Sequence, residues 1–313
     1  MIFLLAAAAL CGCGRPAAKT TAETPSPSVA EGAFSADSAY AYVARQVAFG
    51  PRVPQSAAHD ACGRWLAAEL RRHGADTVIE QRASLPGYGP MVNIIGRFNL
   101  AAPTRVLLLA HWDTRPWADE DPDPANRATP LDGANDGASG TGVLLELARQ
   151  FGAKAPGVGV DILLVDAEDS GSEGDDASWA RGAQYFAANL PDGPLPAYAV
   201  LLDMVGGRDA RFPREMFSDA NARPLTARLW RLAAEMGLGD RFPDRAGGAV
   251  NDDHLPLLRA GIPAVDIIET DHPHTGSFNP TWHTLNDNLD NIDPATLDAV
   301  GRLVSTLVYN EKL

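Results

Sequence analysis

From about Phe34 onward the apolar positions fall into two alternating patterns, one with a helical period and one with strand character. Helical spacing predicts helices over 37–47, 56–73, 138–151, 179–189, 224–236 and 294–307. In the second of these, Trp65, Leu66 and Leu70 share a face, and Gly74 supplies the stop. Residues 77–81 and 91–97 read as strands and form a candidate antiparallel pair. The runs 105–110, 160–165, 197–202 and 264–268 are apolar almost throughout, which suits interior strands covered on both faces. Such alternation predicts an α/β three-layer sandwich. A mixed, mostly parallel central sheet would carry helices on both faces within a single domain.

Polar groups stand where those strands end. His111 follows the run 105–110 directly, Glu168 and Asp169 follow 160–165 by a turn, and Asp203 ends the strand that starts at 197. In open α/β sheets ligands bind outside the carboxyl ends of the strands, so these groups share one rim. Asp136 lies in the small-residue turn Gly133 to Gly140, which opens a helix and permits close backbone approach. His283 falls in the late loop Pro280 to Thr284. Imidazoles and carboxylates without thiolate form a ligand set that zinc accepts, and a carboxylate beside a ligand is where a general base belongs.

Each group alone has a plainer explanation. Asp136 could cap its helix, His111 could be a hydrogen-bonded core histidine, and acidic residues often follow strands. Their joint placement argues for a metal rim. Asp119, Glu120, Asp121 and Asp123 form an acidic loop whose spacing fits no EF-hand, so it reads as solvated. His272 and His274 read as surface histidines, and Asn251 to His254 is too polar for an ordinary helix start.

Charge and the N-terminus add boundaries. With 26 Lys and Arg against 40 Asp and Glu, the net charge of -14 argues against nucleic acid or an anionic membrane surface as partner. No run of about 20 apolar residues is present for an ordinary spanning helix. Residues 1–13 resemble a lipoprotein-type signal segment with Cys13 as the lipidated cysteine, although no basic residue precedes the apolar run. Residues 14–33 are rich in Ala, Thr, Pro and Ser and read as a disordered tether. The expectation is an exported bacterial protein, periplasmic or membrane-anchored only through that lipid. Cys62 is the sole cysteine of the domain 34–313, which therefore has no internal disulfide.

The motifs His111-Trp112-Asp113, Gly133 to Gly140, Glu168-Asp169, Leu202-Asp203-Met204 and Trp282-His283-Thr284 occur in an order that resembles the zinc-dependent aminopeptidases and the related animal-type glutaminyl cyclases. The similarity covers nearly all of 34–313. It implies that Asp136, Asp169 and His283 hold one zinc and that Glu168 is the general acid/base. The aminopeptidases add a second zinc, for which His111 and Asp203 match the ligand positions. The cyclases keep one zinc and set an Asp pair near the substrate amine; here these are Asp203 and Asp252. The segment Asp252 to Leu258 and Trp282, a wall of the substrate pocket, look cyclase-like. Asp169 stands where animal cyclases have Glu, Asp266 where they have His, and the loop 269–281 is longer, features that resemble bacterial members. The resemblance thus implies conversion of N-terminal glutamine on peptides or proteins to pyroglutamate with release of ammonia. The alternative is a two-zinc aminopeptidase.

Overall fold

The computed structural model describes residues 1–2 and 33–312, so the expected leader and tether, with Cys13, lie almost wholly outside it. Two helices come first, α1 (Ala36–Val47) and α2 (Ala57–Arg72), each opened by a serine whose hydroxyl accepts a backbone N–H, Ser35 from Ser38 and Ser56 from His59. The hairpin β1 (Thr77–Leu85) and β2 (Gly89–Phe98) follows, then β3 (Arg105–His111), α3 (Ala138–Ala153), β4 (Gly159–Val165) and α4 (Arg181–Ala188). The remainder is β5 (Ala199–Leu202), α5 (Met216–Asn221), α6 (Arg223–Glu235), α7 (His254–Arg259), β6 (Ala264–Ile267) and α8 (Pro294–Tyr309).

The strands form one six-stranded sheet in the order β1-β2-β4-β3-β5-β6. Pairing is antiparallel for β1 with β2 and β2 with β4, and parallel from β4 through β3 and β5 to β6. Every residue of β3 and β4 is buried, as a strand covered on both faces must be. Alternate side chains go to opposite layers. Val106, Leu108, Ile162 and Leu164 join the large core that holds Val43 of α1, Leu144 of α3 and Val300 of α8. Leu107, Leu109, Leu163 and Val165 join a smaller core with Phe186 of α4 and Leu257 of α7. The expected sandwich is the observed one.

Parallel pairing of β4, β3, β5 and β6 sends their carboxyl ends to one edge. Helix α3 crosses that edge closely: a Cβ on Gly140 would lie 2.1 Å from the Leu202 carbonyl oxygen, and one on Gly137 (φ 90°) would lie 2.9 Å from the His111 ring. These glycines let the turn bearing Asp136 press against the ends of β3 and β5. The short helices α5 and α7 were not anticipated; six residues each give too little periodicity, and α7 is where the polar segment beginning at Asn251 leads. Among the described residues no helix is long and apolar enough to cross a membrane.

Candidate active site

Every residue singled out for the rim converges there. His111 is the last residue of β3, and its Nε2 lies 2.9 Å from Asp136 Oδ1 and 3.2 Å from Asp203 Oδ1. On the other side of Asp136, His283 Nε2 is 3.6 Å from Asp136 Oδ2 and 3.3 Å from Asp169 Oδ1. Two potential ligand groups result, His111 with Asp136 and Asp203, and Asp136 with Asp169 and His283, the donor atoms of each lying within 4.8 Å of one another. Asp136 belongs to both. The backbone bends sharply to present several of these groups: Ala167 (φ 60°), Met204 (φ 50°) and His283 itself (φ 53°) occupy the left-handed region that costs a non-glycine residue energy.

Buried carboxylates clamp those bends. Asp113 accepts hydrogen bonds from the backbone N–H groups of Glu168 (3.2 Å) and Asp169 (3.3 Å), and Asp287 accepts from those of Asn135 (2.7 Å) and Asp136 (3.0 Å). Asp166, at the end of β4, accepts from Val92 N–H (2.7 Å) and Tyr88 O–H (2.6 Å) and pairs with His59 Nε2 at 2.9 Å. Asp119 reaches His283 Nδ1 at 3.3 Å and is itself held by Arg115 Nε at 2.7 Å. A carboxylate on the far nitrogen fixes the orientation and tautomer of a metal-binding imidazole. The acidic loop expected to be merely solvated is therefore corrected: Asp119 braces His283, and buried Asp121 accepts from Leu285 N–H at 3.0 Å. His272 is also buried, contrary to the surface expectation, while His274 is exposed.

Crowding of carboxylates sets the electrostatics. Burial raises the Glu168 carboxyl well above the usual range; Asp252, Asp169 and Asp253 push the same way against the opposing pull of His111. Burial, reinforced by Asp252, lifts Asp203 to about 7, and burial with Asp136 lifts Asp169 to about 6. Burial would lower the His283 imidazole, but the facing carboxylates of Asp119 and Asp169 outweigh it and raise it to about 9. So much mutually repelling charge calls for a cation. Both Asp169 oxygens are buried and accept no hydrogen bond, although carboxylates are strong acceptors. Carboxylates and imidazoles, with no thiolate, match zinc bound by nitrogen and oxygen. The residues fit a metal ion.

A cavity of about 250 Å³ opens onto this rim. Asp136, Glu168, Asp169, Asp203, Asp252 and His283 line its floor, with Trp179, Met204, Val250, Ile268, Phe278 and Trp282 among its walls. Trp282 stacks on His283 (centroids 3.8 Å apart), and Trp179 lies nearly parallel to the same ring at 6.3 Å. Asp252 comes from the segment before α7, and its buried carboxylate faces Asp266, whose carboxyl burial holds well above the usual range. Behind it Asp266 of β6 lies 3.6 Å from His254 Nδ1, which places both near the site but outside the pocket wall. Asp287 and Trp179 were not picked out from sequence, and Asp119 was named only as part of the acidic loop; they act through residues far along the chain, and no spacing announces them.

The comparisons with known proteins agree with this geometry. The model of the family described as peptidase family M28 matches residues 93–308. The chain is 27% identical over 298 residues to the glutaminyl-peptide cyclotransferase of Bos taurus, spanning 82% of this chain and 77% of that one. A crystal structure of Bacteroides thetaiotaomicron glutaminyl cyclase bound to N-acetylhistamine superposes with a TM-score of 0.87 at 45% identity, covering 91% of this chain and all (100%) of the other. A leucine aminopeptidase precursor from the same organism matches with a TM-score of 0.87 at 44% identity, over 91% of this chain and 100% of that one. Since the family model takes in well over half of the sequence, the protein belongs to peptidase family M28.

Proposed function

We propose that the protein is a glutaminyl-peptide cyclotransferase acting on the N-terminal glutamine of peptides or proteins. The glutaminyl cyclases among its relatives support the activity. The observation that carries the choice is that Asp203 and Asp252 line the cavity together with Glu168, near enough that the charge of Asp252 helps to raise Asp203. That pair offers acceptors for a substrate α-amine next to the carboxylate of Glu168.

In this reading Asp136, Asp169 and His283 would hold one zinc, which when bound supplies Lewis acidity toward the γ-carboxamide oxygen. Asp203, backed by Asp252, accepts the N–H bonds of the α-amine and aims its lone pair at the carboxamide carbon. Glu168 removes one proton from that amine as the new C–N bond forms. It returns the proton to the carboxamide nitrogen as the old C–N bond breaks and ammonia leaves. A carboxyl held above its usual range suits this double duty near neutral pH. The indoles of Trp282 and Trp179 flank the chamber and exclude water that would compete with the amine. Because attack is intramolecular, orientation supplies much of the rate.

One observation favours a second reading. The group of His111, Asp136 and Asp203 is compact enough for another ion, as a two-zinc aminopeptidase requires. Incubation with a Gln-initiated peptide separates the two. Ammonia and a pyroglutamyl peptide are expected with one zinc per chain; free glutamine and two zincs would overturn the proposal. Glu168→Gln should lower kcat by at least about a hundredfold while zinc stays bound, and unchanged turnover would remove the role given to Glu168.

A further inference from the structure

We propose that the protein has a second binding site, for an oxyanion of the phosphate or carboxylate class, between the two loops that frame the active site. A separate cavity of about 310 Å³ is lined by Arg208 and Arg211 from the loop after β5 and by His272, Asn279 and Thr281 from the loop after β6. In a chain of net charge -14 this is a local inversion of sign. The Arg208 guanidinium donates to the Asp290 carbonyl at 3.2 Å. That of Arg211 makes no hydrogen bond or ion pair among the described residues; only its backbone N–H is engaged, by Glu269 at 3.0 Å. His272 Nδ1 accepts the backbone N–H of His274 at 3.2 Å, so the neutral ring carries its hydrogen on Nε2 as a donor. Opposing them in the lining is one carboxylate, Asp209.

Two guanidinium forks with an imidazole N–H match the donor pattern that carboxylates and phosphates accept. Both loops also reach the active site. One carries Asp203 and Met204, the other Phe278, Trp282 and His283. Their contact is close, since a Cβ on Gly207 would lie 2.7 Å from Asn279 Nδ2. An anion held between Arg208, Arg211 and His272 would tie these loops together and couple to the substrate pocket.

The site can be filled by a free anion or by an acidic side chain on the bound peptide, and the test separates these. Thermal unfolding of the zinc-loaded protein is followed against inorganic phosphate, with chloride at matched ionic strength as the control. A saturable rise in Tm with phosphate is expected. The double change Arg208→Gln with Arg211→Gln should weaken the apparent affinity by at least about tenfold. Asp209→Asn removes the opposing carboxylate and should strengthen it; asparagine tolerates the backbone there (φ 58°). Phosphate bound to the metal centre would survive all three changes, and that result, like the absence of a saturable shift, would overturn the site.

The second arm compares Gln-initiated peptides carrying acidic or neutral residues downstream. Competition by phosphate against the acidic peptides alone identifies a substrate subsite; equal effects on both identify a free-anion site. The unfolding arm needs no turnover, so its outcome is independent of the proposed activity.

Discussion

The two ligand groups that share Asp136 differ in how their charges are already satisfied. In the first, His111 and Asp203 project from the ends of β3 and β5, paired neighbours in the sheet, and the imidazole nitrogen sits 2.9 and 3.2 Å from two carboxylates. It is an internal ion-paired unit that two rigid strands hold in place. In the second, Asp169 and His283 come from a turn and a distant loop, the separations are 3.3 and 3.6 Å, and neither Asp169 oxygen accepts a hydrogen bond. The first group is held by an imidazole set between two carboxylates, whereas in the second the buried Asp169 oxygens meet His283 and Arg115 only at 3.3 and 3.6 Å, contacts that leave their acceptor capacity for a cation. We take this difference as support for one metal, on the Asp136, Asp169 and His283 side.

The comparison breaks most readily by removing one carboxylate from each group. Asp169→Asn should lose the zinc and at least about a thousandfold in kcat/KM, since the ligand set and the Lewis acid go together. Asp203→Asn should keep one zinc per chain while kcat falls about a hundredfold. Elemental analysis decides: a drop from two zincs to one in the Asp203 variant would make the two groups equivalent. A smaller effect is expected behind His283. Asp119→Asn should weaken zinc affinity by about 10- to 100-fold through loss of the imidazole's orientation, measured by chelator competition; unchanged affinity would mean that the acidic loop is only a covering.

A fully partnered carboxylate provides the smallest and opposite case. Buried Glu215 lies 3.2 Å from His254 Nε2 and accepts from the N–H groups of Phe217, Ser218 and Val250. Burial would raise it, but His254 and those N–H bonds outweigh burial and hold it at about 2. Its stabilising effect is therefore present above the ordinary glutamate range and lost as pH falls toward that value. The Tm gap between wild type and Glu215→Gln should be widest near neutrality and close between about pH 4 and pH 2, corresponding to at most roughly 3 kcal/mol. A gap independent of pH would place the effect in packing rather than charge.

How much was legible follows from range. The buried strands β3 and β4 were visible because continuous apolar runs are local, and the rim followed because parallel strands must end on one side. The metal-type residues showed as chemistry placed at strand ends, and the resemblance ordered them into roles. The helices α5 and α7 escaped because six residues carry too little period, and α7 also contains Pro256. The acidic loop was misread because Asp119 meets Arg115 nearby but His283 only across about half of the chain. His272 was misjudged for the same reason: its loop is folded back by a bond from its own N–H to Ser277.

By itself, then, the sequence determined the sandwich, the common rim and the identities of the groups able to hold a metal, because hydrophobic period and residue chemistry are written locally. Tertiary structure decided which of those groups remain unsatisfied once packed. That depends on distances and burial among residues far apart along the chain, and it is what separates Asp169, whose buried oxygens have only long contacts, from His111 and Asp203, which pair directly.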